Sequence, residues 1–161
     1  VAQRGHVVEA FTESIDVMPT IVDWLGLEVP STCDGESLLG LCCSEKSTPW
    51  RSEAHFALDF RNFVDDNEGL ILGLKPDQCA FTALRDKHFK YVHFTALPPL
   101  FFDLKEDPME FNNVAAAPAY QERILEYAQK LLSWRMNHED RALTHVRLTP
   151  AGPGTHLDRR R

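Results

Sequence analysis

The sequence has 161 residues, 43% of them hydrophobic, and carries a formal net charge of −7 at pH 7. This length and composition allow one buried core, as a complete domain or as part of a larger one, and the acidic balance argues against a partner with a phosphate backbone. No apolar stretch approaches the roughly twenty residues of a bilayer span, so we predict neither a nucleic-acid nor a membrane partner.

The first predicted helix covers residues 16–26. Asp16 is suited to the N-cap, Pro19 falls in the first turn, where its missing N–H costs little, and Gly26 supplies the stop. A shorter helical turn is predicted at residues 36–41. The longer helix has one apolar face at spacings of three and four, which predicts packing on a core: Met18, Ile21, Val22 and Leu25.

Alternation of apolar and polar residues predicts a series of short strands, of which residues 79–85, 88–94 and 100–104 form an antiparallel meander. The runs CAFTALR and HFKYVHF form a hairpin with Asp86 and Lys87 as its two-residue connection. Phe89, Tyr91 and His93 then lie on one side of the sheet. The predicted strands are residues 6–11, 55–60, 79–85, 88–94, 100–104 and 143–149, with loops at residues 44–52 and 61–78.

The strongest helical pattern covers residues 118–136. Pro118 occupies its first position, and Glu126 and Lys130 form a pair four residues apart. The final segment, AGPGTHLDRRR, is predicted to be disordered. The apolar positions of the helix are Tyr120, Ile124, Ala128, Leu131 and Leu132. The fold class is therefore α/β, or α+β for a part of a larger fold, with a small antiparallel sheet of about four strands and a long helix across it.

Four cysteines are present but none forms a CxxC pair: Cys33, Cys42, Cys43 and Cys79. This spacing argues against a structural zinc site. Without a secreted-type framework, reduced thiols in a bacterial cytoplasm are the preferred interpretation, and a disulfide is the alternative.

The search for chemistry in the residues themselves finds no catalytic constellation. Seven histidines occur, but there is no HExxH and no GxSxG. His88 and His93 are five residues apart on one strand, hence on opposite faces, and fit a structural role better than a catalytic one. Asp65, Asp66 and Asn67 carry oxygen ligands in a loop that is better explained by solvation. We assign no catalytic, metal-binding or cofactor-binding residue.

Two longer segments resemble sulfatases of the alkaline phosphatase superfamily. LFFDLKEDPMEFNNVA at residues 100–115 is similar to their terminal segment, in which an aromatic-Asp-Leu strand runs into an Asp-Pro turn and an Asn-Asn step. SIDVMPTIVDWLGLEVPSTCDGESLL at residues 14–39 is similar to their Asp-x-x-Pro-Thr helix and later Asp-Gly-x-Ser-Leu-Leu. The remaining matches look most like phosphonate monoester hydrolases and related arylsulfatases, over roughly residues 4–149.

The resemblance implies hydrolysis of sulfate, phosphonate or phosphate esters. Such enzymes use a cysteine converted to formylglycine and a divalent metal, here manganese, calcium or zinc. The metal holds the attacking alkoxide and stabilises the transition-state oxygens. In the superfamily these groups precede the Asp-x-x-Pro-Thr helix. The resemblance therefore implies that they lie before Val1, so we expect this sequence to be the C-terminal part of a longer enzyme and inactive alone.

Two near matches to the catalytic motifs fail. Cys42 opens CCSEK, which has Lys46 where the formylglycine motif CxPxR or CxAxR requires arginine. The run DDNEG, with Asp66, Asn67 and Gly69, imitates a metal-binding Asp-Asn-Gly but follows the Pro-Thr helix instead of preceding it. Neither a formylglycine nor a catalytic metal is therefore expected here.

The resemblance also implies three parts. Residues 1–45 end the large α/β catalytic domain, residues 46–137 form the antiparallel subdomain with its helix, and residues 138–161 form an arm and disordered tail. The partners implied are the rest of the catalytic domain and a second subunit contacted through the arm. In the FFDL strand, Phe102 and Leu104 are expected to be buried, and Asn112 and Asn113 to satisfy backbone groups of the turn.

Two other function classes remain open. One is a stand-alone interaction module without enzymatic activity, with the acidic loop at residues 61–69 and the alternating tail as contact surfaces. The other is an intact metal phosphatase using Asp65, Asp66 and a histidine. The choice among sulfate, phosphonate and phosphate diester also stays open, because it depends on side chains outside this sequence.

Overall fold

The computed structural model describes residues 5, 7–43, 50–60, 73–138, 146–150 and 152–155. The chain divides into two compact units. The first comprises Val1–Trp50 and Met136–Arg161, and the second comprises Arg51–Arg135.

The first unit is built around a short helix. A 3₁₀ turn at Ser14–Asp16 leads into α1, Val17–Trp24, and α2 follows at Leu39–Cys42. The predicted helix is confirmed, but it ends at Trp24, and Asp16 at the N-cap makes no side-chain capping bond to it. Pro19 is buried in the first turn, and Gly26 adopts a φ of +71° just after the helix, a backbone conformation that glycine reaches without a Cβ penalty.

The predicted strand at residues 6–11 is wrong for the described residues 7–11, which are irregular. A strand exists only where a neighbouring backbone completes its ladder, and the only ladder in the described part of this unit joins β5, Val146–Thr149, to β6, Gly152–Thr155. The prediction of a disordered tail is therefore wrong at residues 152–155, which form β6 of this hairpin. The predicted strand at residues 143–149 is confirmed over its described part.

The second unit contains the predicted four-stranded antiparallel meander, in the order β1-β2-β3-β4. Its register pairs His55 with Leu84, Leu84 with Tyr91, and Tyr91 with Phe101, so these residues form one row across the sheet. The strands are β1 at Ala54–Asp59, β2 at Ala80–Arg85, β3 at Phe89–Phe94 and β4 at Leu100–Asp103.

The long helix, α3 at Gln121–His138, follows a 3₁₀ turn at Pro118–Tyr120 and packs on one face of this sheet. Its buried residues are Tyr127 and Leu131. The predicted core residue Leu132 is exposed instead, and Tyr127 was missed. Tyr127 lies three residues after Ile124 and four before Leu131, so it belongs to the same helical stripe, and packing on the sheet selects it over Leu132. The core comprises Leu84, Tyr91, Phe101, Tyr127 and Leu131.

Two details of the strands also differ from prediction. The β2–β3 turn is centred on Lys87 and His88, because the amide of Asp86 already bonds to the carbonyl of Phe89 at 3.0 Å. Phe101 and Phe102 are both buried, on opposite faces of β4, and Phe101 is the one that meets α3. Leu104 lies beyond the strand and is half-buried.

Candidate functional site

The residues with catalytic potential are not assembled into a reactive site in the described part of the chain. No group of three or more histidine, cysteine or carboxylate side chains there is arranged to hold a metal ion. His93 is engaged with the Tyr91 hydroxyl at 2.9 Å, and the four cysteines form no disulfide. Asp65, Asp66, Asn67 and Lys46 lie outside the described residues.

The first sulfatase-like segment is held together by the carboxylate of Asp16. This residue is fully buried, and its two oxygens accept hydrogen bonds from the amides of Glu13 at 2.7 Å and Glu36 at 3.0 Å. The second bond links positions 20 residues apart. Asp16 therefore joins the Asp-x-x-Pro-Thr helix to the later Asp-Gly-x-Ser-Leu-Leu run.

Thr20 and Gly35 complete this junction. The Thr20 hydroxyl donates to the carbonyl of Asp16 at 2.5 Å and accepts the amide of Leu38 at 2.8 Å. A Cβ at Gly35 would lie 2.5 Å from the carbonyl carbon of Ile15 and 2.8 Å from the amide nitrogen of Asp16. Only glycine permits this approach, so the spacing of the motif is explained by backbone packing.

The second sulfatase-like segment covers the open edge of the sheet. β4 is an edge strand, and the chain at residues 113–114 runs beside it: Asn113 Oδ1 accepts the amide of Phe101 at 2.9 Å, and the amide of Val114 donates to the carbonyl of Phe101 at 2.9 Å. An uncovered edge would offer these groups to another strand. Asn113 also accepts the amide of Ala115 at 3.0 Å, which confirms its predicted role in the turn.

Replacing Asn113 with alanine should test this cover. The change removes the acceptor of the Phe101 amide, and we expect the free energy of unfolding to fall by about 1–3 kcal/mol. Urea denaturation measures it. Asn112→Ala is the matched control, because the bond from this residue to Asp107 uses its backbone amide, at 2.7 Å. An equal loss in both variants would contradict the assignment.

Asp103 of the FFDL strand links the strand to the start of α3. Its Oδ1 accepts the amide of Lys105 at 3.1 Å, and its Oδ2 accepts the Tyr120 hydroxyl at 3.0 Å. This hydrogen bond favours the protonated phenol and raises the pKa of Tyr120. The aspartate of the motif is therefore a connection between the sheet and the start of the helix.

A second carboxylate, Asp86, fastens the β2–β3 turn to α3. Its Oδ1 accepts the amides of His88 at 2.8 Å and Phe89 at 2.9 Å, and its Oδ2 accepts the Tyr127 hydroxyl. Burial acts to raise the pKa of Asp86, but these three hydrogen bonds outweigh it and the pKa is lowered. Burial and the same bond raise the pKa of Tyr127. The sequence marked Asp86 only as a turn residue.

The Asp86–Tyr127 bond predicts an acid-dependent stability. Because the folded-state pKa of Asp86 is depressed, its contribution is present above the ordinary value of 3.8 and is lost as the pH falls through the lower folded value. Tyr127→Phe removes one stabilising donor, so its unfolding free energy should depend less on pH in the acid range. Urea denaturation from neutral to acid pH measures this, and parallel profiles for the two proteins would contradict it.

A final feature is an uncovered apolar surface on α1, which we call the α1 face. Trp24, the last residue of α1, is 73% exposed, and the predicted core residues Met18 and Ile21 are exposed as well. In the described residues this face is open to solvent where the pattern predicts a core. The exposed members are Val17, Met18, Ile21, Trp24 and, after the helix, Leu25 and Leu27.

Comparison with known protein sequences identifies the family of this chain. Residues 1–137 match the model of the family described as N-sulphoglucosamine sulphohydrolase, C-terminal. The chain belongs to this family. The chain is 52% identical over 148 residues to the multifunctional alkaline phosphatase superfamily protein PehA of Trinickia caryophylli, covering 92% of the chain and 29% of PehA. It is also 28% identical over 130 residues to an arylsulfatase of Clostridium perfringens, covering 81% and 24%.

Solved structures show the same fold. The chain superposes on the phosphonate monoester hydrolase of Agrobacterium radiobacter with a TM-score of 0.75 and 42% identity, covering 94% of this chain and 30% of that one. The corresponding enzyme of Silicibacter pomeroyi gives 0.76 and 37%, covering 96% and 31%. The chain thus spans about 30% of these relatives' length. In the described residues, no helix is long and apolar enough to cross a membrane.

Proposed function

We propose that this chain is the C-terminal, non-catalytic part of a metal-dependent ester hydrolase with a formylglycine nucleophile. The observation that carries the proposal is the 52% identity to PehA over 92% of the chain. The substrates of the whole enzyme are sulfate, phosphonate or phosphate esters, the classes suggested by the names of the relatives. We place the enzyme in a bacterial cytoplasm, because the four cysteines are unpaired and reduced thiols fit that compartment.

The formylglycine and the metal, which is manganese, calcium or zinc, are assigned to the preceding part of the enzyme. In the described residues, no group of three or more histidine, cysteine or carboxylate side chains is arranged to hold a metal ion. Two of the carboxylates are used in structural bonds: Asp16 accepts two amides, and Asp86 accepts two amides and the Tyr127 phenol.

The role of this part is to support the fold and wall the substrate cleft. The α1 face is the main support for this role, because a row of exposed apolar side chains on so short a helix is costly in water. Its occupant is the rest of the catalytic domain, since the relatives are about three times as long as the chain. A stand-alone interaction module would use the same face for a different protein.

An activity comparison tests the proposal. The full-length enzyme with manganese should hydrolyse at least one of an aryl phosphonate monoester, a phosphate diester and an aryl sulfate, whereas the 161-residue chain should hydrolyse none. Tight manganese binding and turnover by the chain alone would contradict the proposal and favour a metal phosphatase using Asp65, Asp66 and a histidine. Absence of all three activities in the full-length protein would favour the interaction module.

The arm at residues 138–161 is proposed as a subunit contact. Deleting it from the full-length enzyme should reduce the oligomer to a smaller species, because the hairpin of β5 and β6 would be lost with it. Gel filtration with light scattering measures the mass. A deletion variant that keeps the mass of the intact oligomer would remove this part of the proposal.

A further inference from the structure

The turn that follows β4 displays two large apolar side chains. Residues 107–112, which we call the Met109–Phe111 loop, expose 70% of Met109 and 79% of Phe111. Both lie outside the core cluster between sheet and α3. Two large apolar side chains separated by a single residue on a loop are typical of anchors that fill a pocket on another surface.

The loop holds these side chains in a strained backbone. Glu110, between them, has a φ of +59°, and it is the single residue other than glycine with positive φ in the described chain. A side chain with a Cβ is disfavoured in this region by about 1–2 kcal/mol. Strain of this kind persists only where surrounding contacts impose it, and it is frequent at binding elements.

The contacts that impose the strain are visible. The Glu110 carboxylate lies 2.5 Å from Lys90 Nζ of β3 and 4.0 Å from Arg85 Nη1 of β2. Its amide donates to the carbonyl of Asp107 at 3.1 Å, and the Asp107 carboxylate accepts the amide of Asn112 at 2.7 Å. Glu110 thus faces the sheet, while Met109 and Phe111 remain in solvent. An anchored loop loses little entropy when it binds.

Charged side chains of both signs surround the apolar pair. Glu106 is exposed and lies 3.6 Å from Lys105, Asp107 adjoins the pair, and Glu110 between the two apolar residues is held by Lys90 and Arg85. A complementary surface therefore has an apolar groove with a polar rim that carries both charges. A surface on the same polypeptide has the advantage of a high effective concentration.

We propose that the Met109–Phe111 loop docks into an apolar groove with a polar rim on the catalytic part of the same polypeptide. This inference rests on the proposed function, since that part makes up about 70% of relatives such as PehA, of which this chain covers 29%. The loop is then a second attachment point, formed by residues other than those of the α1 face.

Photo-crosslinking in the full-length enzyme tests the docking. Phe111 is replaced by the photoreactive residue p-benzoylphenylalanine, and the crosslinked peptides are mapped by mass spectrometry. The matched control carries the same probe at Lys105, whose side chain is 82% exposed in the same turn. We expect Phe111 to crosslink within one polypeptide to a segment preceding this chain, with a yield several-fold above that of Lys105.

Two results would overturn the inference. One is a yield no greater than at Lys105, which would leave the loop in solvent, and the other is a crosslink between two polypeptides, which would make a second copy the partner. If the Phe111 variant does not accumulate, the probe at Met109 makes the same measurement. Ester hydrolysis by the same preparation is scored separately. An inactive enzyme with the intramolecular crosslink would refute the proposed function and leave the docking intact.

Discussion

Replacing Phe101 with alanine is expected to lower the free energy of unfolding of the second unit by about 3–5 kcal/mol. Phe101 is fully buried in β4 and touches the rings of Phe89 and Tyr127, with centroids 5.2 Å and 5.5 Å away. The truncation therefore removes apolar contacts and leaves a cavity between sheet and helix. Near-ultraviolet circular dichroism during urea denaturation reports the loss, because aromatic rings dominate this core.

The control for this change is Phe56→Ala. Phe56 has the same size but is 55% exposed on β1, and its nearest aromatic neighbour is Phe81 at 5.6 Å. We expect it to cost less than half as much, since much of the ring stays in water in the folded chain. Equal costs would show that the core between β4 and α3 does not dominate the stability of the sheet.

Replacing Asp16 with alanine is expected to cause the second large loss of stability. The change removes the fully buried carboxylate that accepts the part-buried amides of Glu13 and Glu36, and each donor left unsatisfied costs about 1–3 kcal/mol. We expect the connection between α1 and the Asp-Gly-x-Ser-Leu-Leu run to open. Hydrogen exchange of the Glu36 amide should become fast, and urea denaturation should show the loss of stability.

Asp23→Ala is the matched control for Asp16. Asp23 is a carboxylate in the same helix, but it accepts one hydroxyl, that of Ser37 at 2.5 Å, at an exposed position. Its loss should cost roughly 1 kcal/mol or less, because water can replace the hydrogen bond. A Glu36 amide that stays protected in the Asp16 variant would refute the role of this carboxylate. Gly35→Ala should open the same connection from the other side, through its clash with the backbone at Ile15.

The two sulfatase-like segments show why motifs without reactive groups are distinctive. In the first, a buried carboxylate, a hydroxyl and a glycine each meet backbone groups of the other half of the segment. In the second, Asp103 and Asn113 connect the edge strand to the helix and cover its free backbone groups. Each position requires one side-chain chemistry at a fixed distance from a backbone atom, and this restricts the sequence as strongly as catalysis would.

The sequence alone determined the elements whose causes are local. Alternation predicted β1 to β4, the period of 3.6 and Pro118 predicted α3, and Gly26 marked the end of α1. These signals are reliable because each depends on residues a few positions apart. The charged pair of Glu126 and Lys130, 3.4 Å apart on α3, was predictable for the same reason.

Only the tertiary structure decided which residues meet across the chain. In the core, Tyr127 occupies the place that the pattern predicted for Leu132, and Phe101 is the residue of β4 that contacts the helix. Asp86, predicted only as a turn residue, accepts the hydroxyl of Tyr127, 41 positions away. The tertiary structure also left residues 7–11 without a strand and placed residues 152–155 in one. These outcomes depend on contacts between residues that are distant in sequence, and a local sequence pattern does not determine such contacts.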